Sequence, residues 1–240
     1  NNYIISNIGG DIYFFSGLSD PAGVYEVKAA EAQETDVEGM DILEAESSDF
    51  RYVELEAGKL KIIKYKGNDK AIAIPFEING KKVVKIGVRA FSGCNQLESI
   101  TIPESVNEIE DYDNDTDNAH MPFSDCENLT EIVVEEGNAW YSSQDGILYN
   151  ENKRSLIYCP KGKKGSITIP ESVTEIGHYD EGGYESSMPL NDCQYLTEII
   201  VEEGNARYSS REGVLYDKSM ETLLCCPVGK QGSVTIPESV

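Results

Sequence analysis

One hexapeptide, Thr-Ile-Pro-Glu-Ser-Val, occurs three times in this chain, at residues 101–106, 168–173 and 235–240, so 67 residues separate successive copies. Residues 121–173 align with residues 188–240 without a gap, and 33 of the 53 aligned positions are identical. The unit divides into two coils, and a single coil of this length cannot bury its own apolar face and becomes stable by stacking on its neighbours. The repeat therefore predicts a solenoid, that is, a right-handed β-rich superhelix.

Each 67-residue unit divides into two coils of unequal length. Six anchor residues mark the coils, at spacings of 28, 32, 35, 32 and 35 residues: Ile74, Ile102, Val134, Ile169, Val201 and Ile236. Each coil carries a short alternating run, and residues two apart in a strand face the same side. We therefore expect Ile100 and Ile102 to point inward and the coils to pair into one parallel sheet of about six rungs.

The outward positions of that sheet are the first candidate contact residues: Ser99, Thr101, Glu131, Val133, Glu198 and Ile200. The longer coil of each unit also contains a turn-rich stretch between apolar runs, which predicts a β-hairpin over residues 145–158 and again over 213–224. Trp140 aligns with Arg207 just before these hairpins. A position that accepts both residue types is expected to be exposed, so Trp140 is either a contact residue or a packed edge aromatic.

Two coils carry the same nine-residue insertion, within residues 111–120 and 178–187. Insertions at one register of a solenoid fall on one face, and loops on a rigid scaffold often bind partners. We therefore add Tyr112, Asp113, Tyr179 and Asp180 to the candidate contact residues. The alternative is that both insertions are tolerated surface loops.

The first insertion also suggests a calcium site, because clustered carboxylate oxygens suit hard cations. Its candidate ligands alternate along the chain: Asp111, Asp113, Asp115 and Asp117. The run does not fit an EF-hand loop, since Thr116 stands at the glycine position and Pro122 at the position of the bidentate glutamate. Calcium is thus a weak alternative, and we predict no cofactor.

Residues 83–106 contain, in order, a Val-x-x-Ile-Gly step, an Ala-Phe-Ser-Gly-Cys turn and a Leu-x-x-Ile-x-Ile-Pro strand. This pattern resembles the BspA-type leucine-rich repeat of bacterial surface proteins. Residues 138–149 and their copy 205–216 resemble an element that is often interleaved in that family, and residues 52–67 resemble the hairpin that commonly precedes its first coil. The resemblance implies a secreted or cell-wall-displayed bacterial protein, an adhesive or interaction module without catalytic residues.

This reading divides the chain into three parts. Residues 1–49 match no known element, and we expect a β-hairpin with a flexible acidic stretch. Residues 50–70 are expected to form a capping hairpin, and residues 71–240 to form the repeats.

Composition excludes several classes of partner. The chain has 43 acidic and 20 basic residues, a net charge of −23, which opposes binding to nucleic acid and to anionic membrane surfaces. No apolar run approaches the roughly 20 residues that cross a bilayer. The cysteines recur at matched repeat positions and lack zinc-site spacing, which favours buried free thiols over disulfides: Cys94, Cys126, Cys159, Cys193, Cys225 and Cys226.

The function that we predict is a non-catalytic, extracellular binding or adhesion module. Its partner is expected to be a protein, with a glycan as the second option. The alternatives are a spacer that displays another domain on the cell surface and a calcium-stabilised surface module.

Overall fold

The structure is a computed structural model of the chain that describes residues 3–8, 11–16, 42–43, 49–113, 118–119, 121–177 and 188–240. Side chains are described for residues 49–111, 121–177 and 188–240. The chain forms two compact units, Asn1–Gly39 and Met40–Val240. In the first unit, strand β1 (Tyr3–Ile8) pairs antiparallel with β2 (Asp11–Ser16).

The second unit is built from short strands. In chain order these are β3 (Ile42–Leu43), β4 (Phe50–Leu55), β5 (Lys59–Tyr65), β6 (Ala71–Ala73), β7 (Glu77–Ile78), β8 (Lys81–Ile86), β9 (Ser99–Ile102), β10 (Glu108–Ile109), β11 (Tyr112–Asp113), β12 (Asn118–Ala119), β13 (Glu131–Val134), β14 (Tyr141–Gln144), β15 (Ile147–Asn150), β16 (Ser155–Tyr158), β17 (Lys164–Ile169), β18 (Glu175–Ile176), β19 (Tyr195–Val201), β20 (Tyr208–Arg211), β21 (Val214–Asp217) and β22 (Leu223–Cys225). The one helical segment among the described residues is a 3-10 turn, Glu56–Gly58, between β4 and β5.

Parallel pairing between successive coils occurs on two sides of the repeats. On one side, β6, β9 and β13 form one parallel sheet, and β17 and β19 form another. On the other side, β5, β8 and β10 pair in parallel, as do β16 and β18. The alternating pattern of β9 places Ile100 and Ile102 in the core with no exposed surface, as expected, while Ser99 is only half-buried.

The expectation of one parallel sheet of about six rungs is wrong. The Thr-Ile pairs at 101 and 168 lie in different sheets, and the pair at 235 lies in no strand. The hairpin β14–β15 explains the interruption, because it occupies the second edge of β13. The N–H of Ile132 donates to the carbonyl of Gly146 at 3.0 Å, and that of Val134 donates to Ser143 Oγ at 3.0 Å.

The second unit of the repeat shows the same interruption. The N–H of Ile199 donates to the carbonyl of Gly213 at 3.0 Å, and that of Val201 donates to Ser210 Oγ at 2.9 Å. The hairpins predicted over 145–158 and 213–224 are present as the antiparallel pairs β15–β16 and β21–β22. The edges of β13 and β19 are occupied by the hairpins β14–β15 and β20–β21.

A four-residue segment, Glu135–Asn138, joins the longer coil to the coil before it; we call it the connector. Asn138 Nδ2 donates to the carbonyls of Pro103 and Val106 at 3.0 and 2.9 Å. Glu135 Oε2 accepts the N–H of Glu104 at 3.2 Å. Gly137 has a φ of 98°, a left-handed conformation that favours glycine over residues with a Cβ atom.

The connector recurs at residues 202–205. Asn205 Nδ2 donates to the carbonyls of Pro170 and Val173 at 2.8 and 2.9 Å, and Glu202 Oε2 accepts the N–H of Glu171 at 2.7 Å. The first glutamate after β13 and the first after β19 therefore stabilise the corner of the preceding coil.

The core forms two clusters of buried side chains, one for the earlier coils and one centred on residues 147–225. A row of aromatic rings crosses the first cluster from coil to coil. Its successive centroids are 5.2, 5.9, 5.7 and 5.5 Å apart, in the order Phe50, Tyr65, Phe91, Phe123 and Tyr158. In the second cluster, the residue that aligns with Phe123 is Leu190, which is also fully buried.

Two buried tyrosines of one hairpin differ in their hydrogen bonding. Tyr158 donates its hydroxyl to the carbonyl of Phe123 at 3.1 Å, whereas the hydroxyl of Tyr149 is buried and has no partner among the described residues. Burial raises the pKa of both phenols, so both stay neutral at physiological pH.

Replacing Tyr149 with phenylalanine is expected to raise the free energy of unfolding by about 1 kcal/mol, because it removes an unpaired buried hydroxyl. Tyr158→Phe is the matched control, and it is expected to lower the free energy of unfolding by about 1 kcal/mol through loss of a hydrogen bond. Urea titration followed by circular dichroism measures both. Equal destabilisation by the two variants would show that the Tyr149 hydroxyl has a partner.

Candidate functional site

The outward side chains of the two parallel sheets form the candidate site. The first outer face, on β6, β9 and β13, consists of Ala71, Ala73, Ser99, Thr101, Glu131 and Val133. The second outer face, on β17 and β19, consists of Ser166, Thr168, Glu198 and Ile200. The described strands thus place all six predicted outward residues on these two faces.

Strand register arranges each outer face into rows. On the first outer face, Ala73 pairs with Thr101 and Thr101 pairs with Val133. On the second, Thr168 pairs with Ile200. Val133 and Ile200 are equivalent positions, 67 residues apart, and their exposed fractions are 37% and 41%. Each row therefore ends in an exposed β-branched apolar side chain beside a threonine.

The neighbouring row on each face is polar. Ser99 pairs with Glu131 on the first outer face, and Ser166 pairs with Glu198 on the second. Both glutamates are exposed. Each face thus offers a carboxylate and hydroxyls next to an apolar side chain, a combination that can bind by hydrogen bonds and apolar contact.

Lysines border both faces. Lys70 forms an exposed ion pair with Glu98 at 2.6 Å, and this hydrogen bond raises the pKa of Lys70. Lys164 Nζ lies 5.6 Å from the ring centroid of Tyr195, a cation–π contact. Tyr195 is 53% exposed, so its ring remains accessible beside the second outer face.

A shallow depression of about 310 Å³ lies between β13 and the start of β17, lined by Thr130, Glu131, Lys163 and Lys164. Lys163 Nζ also donates to the carbonyl of Asp145 in the hairpin turn. Sequence reasoning found Glu131 but missed these lysines and Tyr195. The Lys/Gly-rich stretch at residues 161–165 was the available signal, and its pattern indicated only a turn.

The Trp140 side chain faces solvent, and the residue is 57% exposed. Its backbone N–H donates to Asn138 Oδ1 at 2.9 Å. Its aligned residue, Arg207, is exposed as well, and its N–H is held by Asn205 Oδ1 at 2.8 Å. The expectation of an exposed position is therefore met in both units, because the connector fixes the backbone while the side chain faces solvent.

The insertions are described only in part. Tyr112 and Asp113 form β11, which pairs antiparallel with β12, and their side chains lie outside the described residues. Tyr179 and Asp180 lie outside the described residues entirely, as do Asp115 and Asp117 of the calcium hypothesis. The predicted alignment of the two insertions and their role in binding stay predictions.

Asp111, the remaining calcium candidate, is described and half-buried. Within the side chains that the structure describes, no group of three or more His, Cys, Asp or Glu residues could hold a metal ion. In the same part of the chain, no helix is long and apolar enough to span a bilayer.

These features define a β-rich repeat protein whose coils are linked by a recurring connector and whose parallel sheets carry outward polar and apolar rows. The family model of the BspA type leucine rich repeat region, which comprises six copies, matches residues 65–114 and 81–164. This match places BspA-type leucine-rich repeats within residues 65–164, and it confirms the resemblance found in the sequence.

Solved structures of bacterial leucine-rich-repeat proteins are similar to this chain. The T. pallidum leucine rich repeat protein is 20% identical, with 65% of this chain and 71% of that chain covered and a TM-score of 0.38. The pneumococcal vaccine antigen PcpA is 17% identical, with 83% and 59% covered and a TM-score of 0.42. A leucine rich cell surface protein from Faecalibacterium prausnitzii A2-165 is 18% identical, with 71% and 57% covered and a TM-score of 0.33. No curated protein matches the chain.

Proposed function

We propose that the chain is a non-catalytic binding module that acts on the outside of a bacterial cell, with its repeats stacked as a solenoid and its outer faces in contact with a partner protein. The match to the BspA-type family supports the surface location. The connectors and the coil-to-coil parallel pairing support the stacking. The insertions, with Tyr112, Asp113, Tyr179 and Asp180, would extend the contact surface.

The observation that carries the binding function is the repetition of an exposed apolar residue. Val133 and Ile200 point away from the core at the same register of two units, and neither fills a space inside the fold. A structural spacer does not need apolar side chains on its outer faces. The paired positions on the neighbouring strands carry a polar residue instead, Thr101 and Thr168. Exposed apolar groups in a polar surround are typical of protein-binding surfaces.

The net charge of −23 favours a partner with a basic patch, because opposite surface potentials speed association. A glycan is the second candidate, and the exposed rings of Trp140 and Tyr195 favour it, since an aromatic face can cover the apolar face of a sugar. Salt dependence distinguishes the two, because only charge-steered binding weakens strongly as ionic strength rises.

The test is a paired substitution, Val133→Thr with Ile200→Thr, which keeps β-branched residues in both strands. The chain and its variant are used to probe purified extracellular proteins and a glycan array at low and physiological salt. Partner affinity is expected to fall at least about tenfold, because the variant removes apolar surface worth roughly 1 kcal/mol at each position.

The control is Val228→Thr, which makes the same change at an exposed valine outside every strand. Partner binding that survives Val133→Thr with Ile200→Thr would remove the outer faces from the proposal, and Tyr112→Ala with Tyr179→Ala then tests the insertions. Absence of any protein or glycan partner for the unaltered chain would favour the spacer instead.

A further inference from the structure

Two cysteines from successive coils are held against each other beside the aromatic row. Backbone hydrogen bonds set their register: Phe91 N–H donates to the carbonyl of Pro122 at 2.9 Å, and Gly93 N–H donates to that of Ser124 at 3.1 Å. These bonds place Cys94 alongside Cys126 on the next coil.

One carbonyl oxygen fixes both residues. The carbonyl of Phe91 accepts the N–H of Cys94 at 3.1 Å, and Cys126 Sγ lies 3.0 Å from the same oxygen. The sulfur of Cys126 therefore lies at the oxygen that also anchors the backbone of Cys94.

The two thiols differ in exposure. Cys94 is half-buried, whereas Cys126 has no exposed surface. The hydrogen bond from Cys126 lowers the pKa of Cys94 to about 7, with help from the positive charge of Lys64, and Cys126 has a raised pKa. A lowered pKa favours the thiolate of Cys94, the form that attacks disulfides.

We propose that Cys94 and Cys126 are a redox-active dithiol that takes a small-molecule disulfide as its substrate, with Cys94 as the attacking thiol and Cys126 as the resolving thiol. Cys94 sulfur attacks one sulfur of the small disulfide, which forms a mixed disulfide and releases one thiolate. Cys126 sulfur then attacks Cys94 sulfur, releases the second thiolate and gives up its proton to it. The small disulfide is reduced to two thiols while the protein pair is oxidised to one disulfide.

A second cysteine pair provides an internal control. Cys159 and Cys193 also meet across successive coils, with Cys193 Sγ 3.7 Å from the carbonyl of Cys159, but both are buried, and the interaction with Cys193 together with burial raises the pKa of Cys159. A small disulfide cannot reach either sulfur in the folded chain. The structure thus assigns reactivity to Cys94 and Cys126, because Cys94 is partly exposed and has a lowered pKa. Cysteines that lie close together but are buried, such as Cys159 and Cys193, are not expected to react.

Oxidised glutathione at pH 7 is the probe, and Cys226→Ser is the background, because Cys226 is an exposed lone thiol. The expected product is a chain that has lost two hydrogens in mass and whose peptide map links Cys94 to Cys126. A chain that is cross-linked in this way is expected to melt about 10 °C higher, because a closed loop restricts the unfolded state. In Cys126→Ser, the mixed disulfide between Cys94 and glutathione is expected to accumulate.

Further variants decide the outcome. Cys94→Ser is expected to abolish the reaction, and Cys159→Ser is expected to leave it unchanged. The proposal is overturned if glutathione links Cys159 to Cys193 as fast as Cys94 to Cys126. It is also overturned if Cys94 forms a glutathione adduct in the presence of Cys126 without going on to the protein disulfide, or if no thiol reacts.

Discussion

Replacing Asn138 with alanine is expected to lower the free energy of unfolding by about 4 kcal/mol, because one buried side chain makes four hydrogen bonds of about 1 kcal/mol each. Its Nδ2 donates to the carbonyls of Pro103 and Val106, and its Oδ1 accepts the N–H groups of Trp140 and Tyr141, both at 2.9 Å. Alanine leaves the N–H groups of Trp140 and Tyr141 and the carbonyls of Pro103 and Val106 without these hydrogen bonds. The site is buried, since Asn138 is only 8% exposed. Urea titration measures the loss.

The chain supplies its own replicate and control for this experiment. Asn205 makes the same four bonds in the second unit, so Asn205→Ala is expected to cost a similar amount. Asn128 is exposed and donates one bond to the carbonyl of Asn95, so Asn128→Ala is expected to cost less than about 1 kcal/mol. A loss at Asn138 no larger than at Asn128 would contradict the structural role of the connector.

Replacing Phe123 with alanine is expected to lower the free energy of unfolding by about 4 kcal/mol, because the change opens a cavity in a closely packed core. Phe123 has no exposed surface, and its ring lies between those of Phe91 and Tyr158 at centroid distances of 5.7 and 5.5 Å. The lost ring contacts add to the lost apolar burial. The same denaturation measurement applies.

Phe123→Leu is the matched variant, because Leu190 occupies the equivalent place in the second unit with no exposed surface. It keeps most of the apolar volume, so a loss of about 1.5 kcal/mol is expected. If leucine and alanine cost the same amount, the stability of this position would depend on the aromatic row rather than on filled volume.

Local structure could be predicted from the sequence because it depends on neighbours in the chain. The alternation around Ile100 and Ile102 indicated which side chains enter the core, and it also identified Val133 and Ile200 as outward residues. The two hairpins were visible in the turn-rich stretches between apolar runs. Each of these features has a period or turn composition that needs no knowledge of distant contacts.

The extent of the parallel sheets could not be predicted in the same way. Whether β13 pairs with β17 or with its own hairpin depends on which acceptors reach the N–H groups of Ile132 and Val134. Ser143 Oγ supplies one of them, and a serine in a polar stretch gives no such signal in the sequence. The single sheet was therefore a reasonable extrapolation from the repeat. The hydrogen bonds from β13 to its own hairpin prevent it.

The candidate site could be predicted from the sequence only in part, because some of its residues come together through distant contacts. The outer faces follow from strand alternation, whereas Tyr195 and Lys164 come together only through the pairing of β17 with β19. The cysteine pair Cys94–Cys126 likewise depends on contact between coils 32 residues apart. Matched repeat positions suggested shared burial, and they did not indicate which thiol would be half-exposed.

The connector has a consequence for how such a chain can lengthen over evolution. In each unit, an asparagine about one coil after the hexapeptide donates to the carbonyls of its proline and valine. A glutamate of the same connector accepts the N–H of the hexapeptide's glutamate. A tandem duplication of 67 codons therefore copies both halves of the joint at once. The new segment can attach to its predecessor without any compensating substitution.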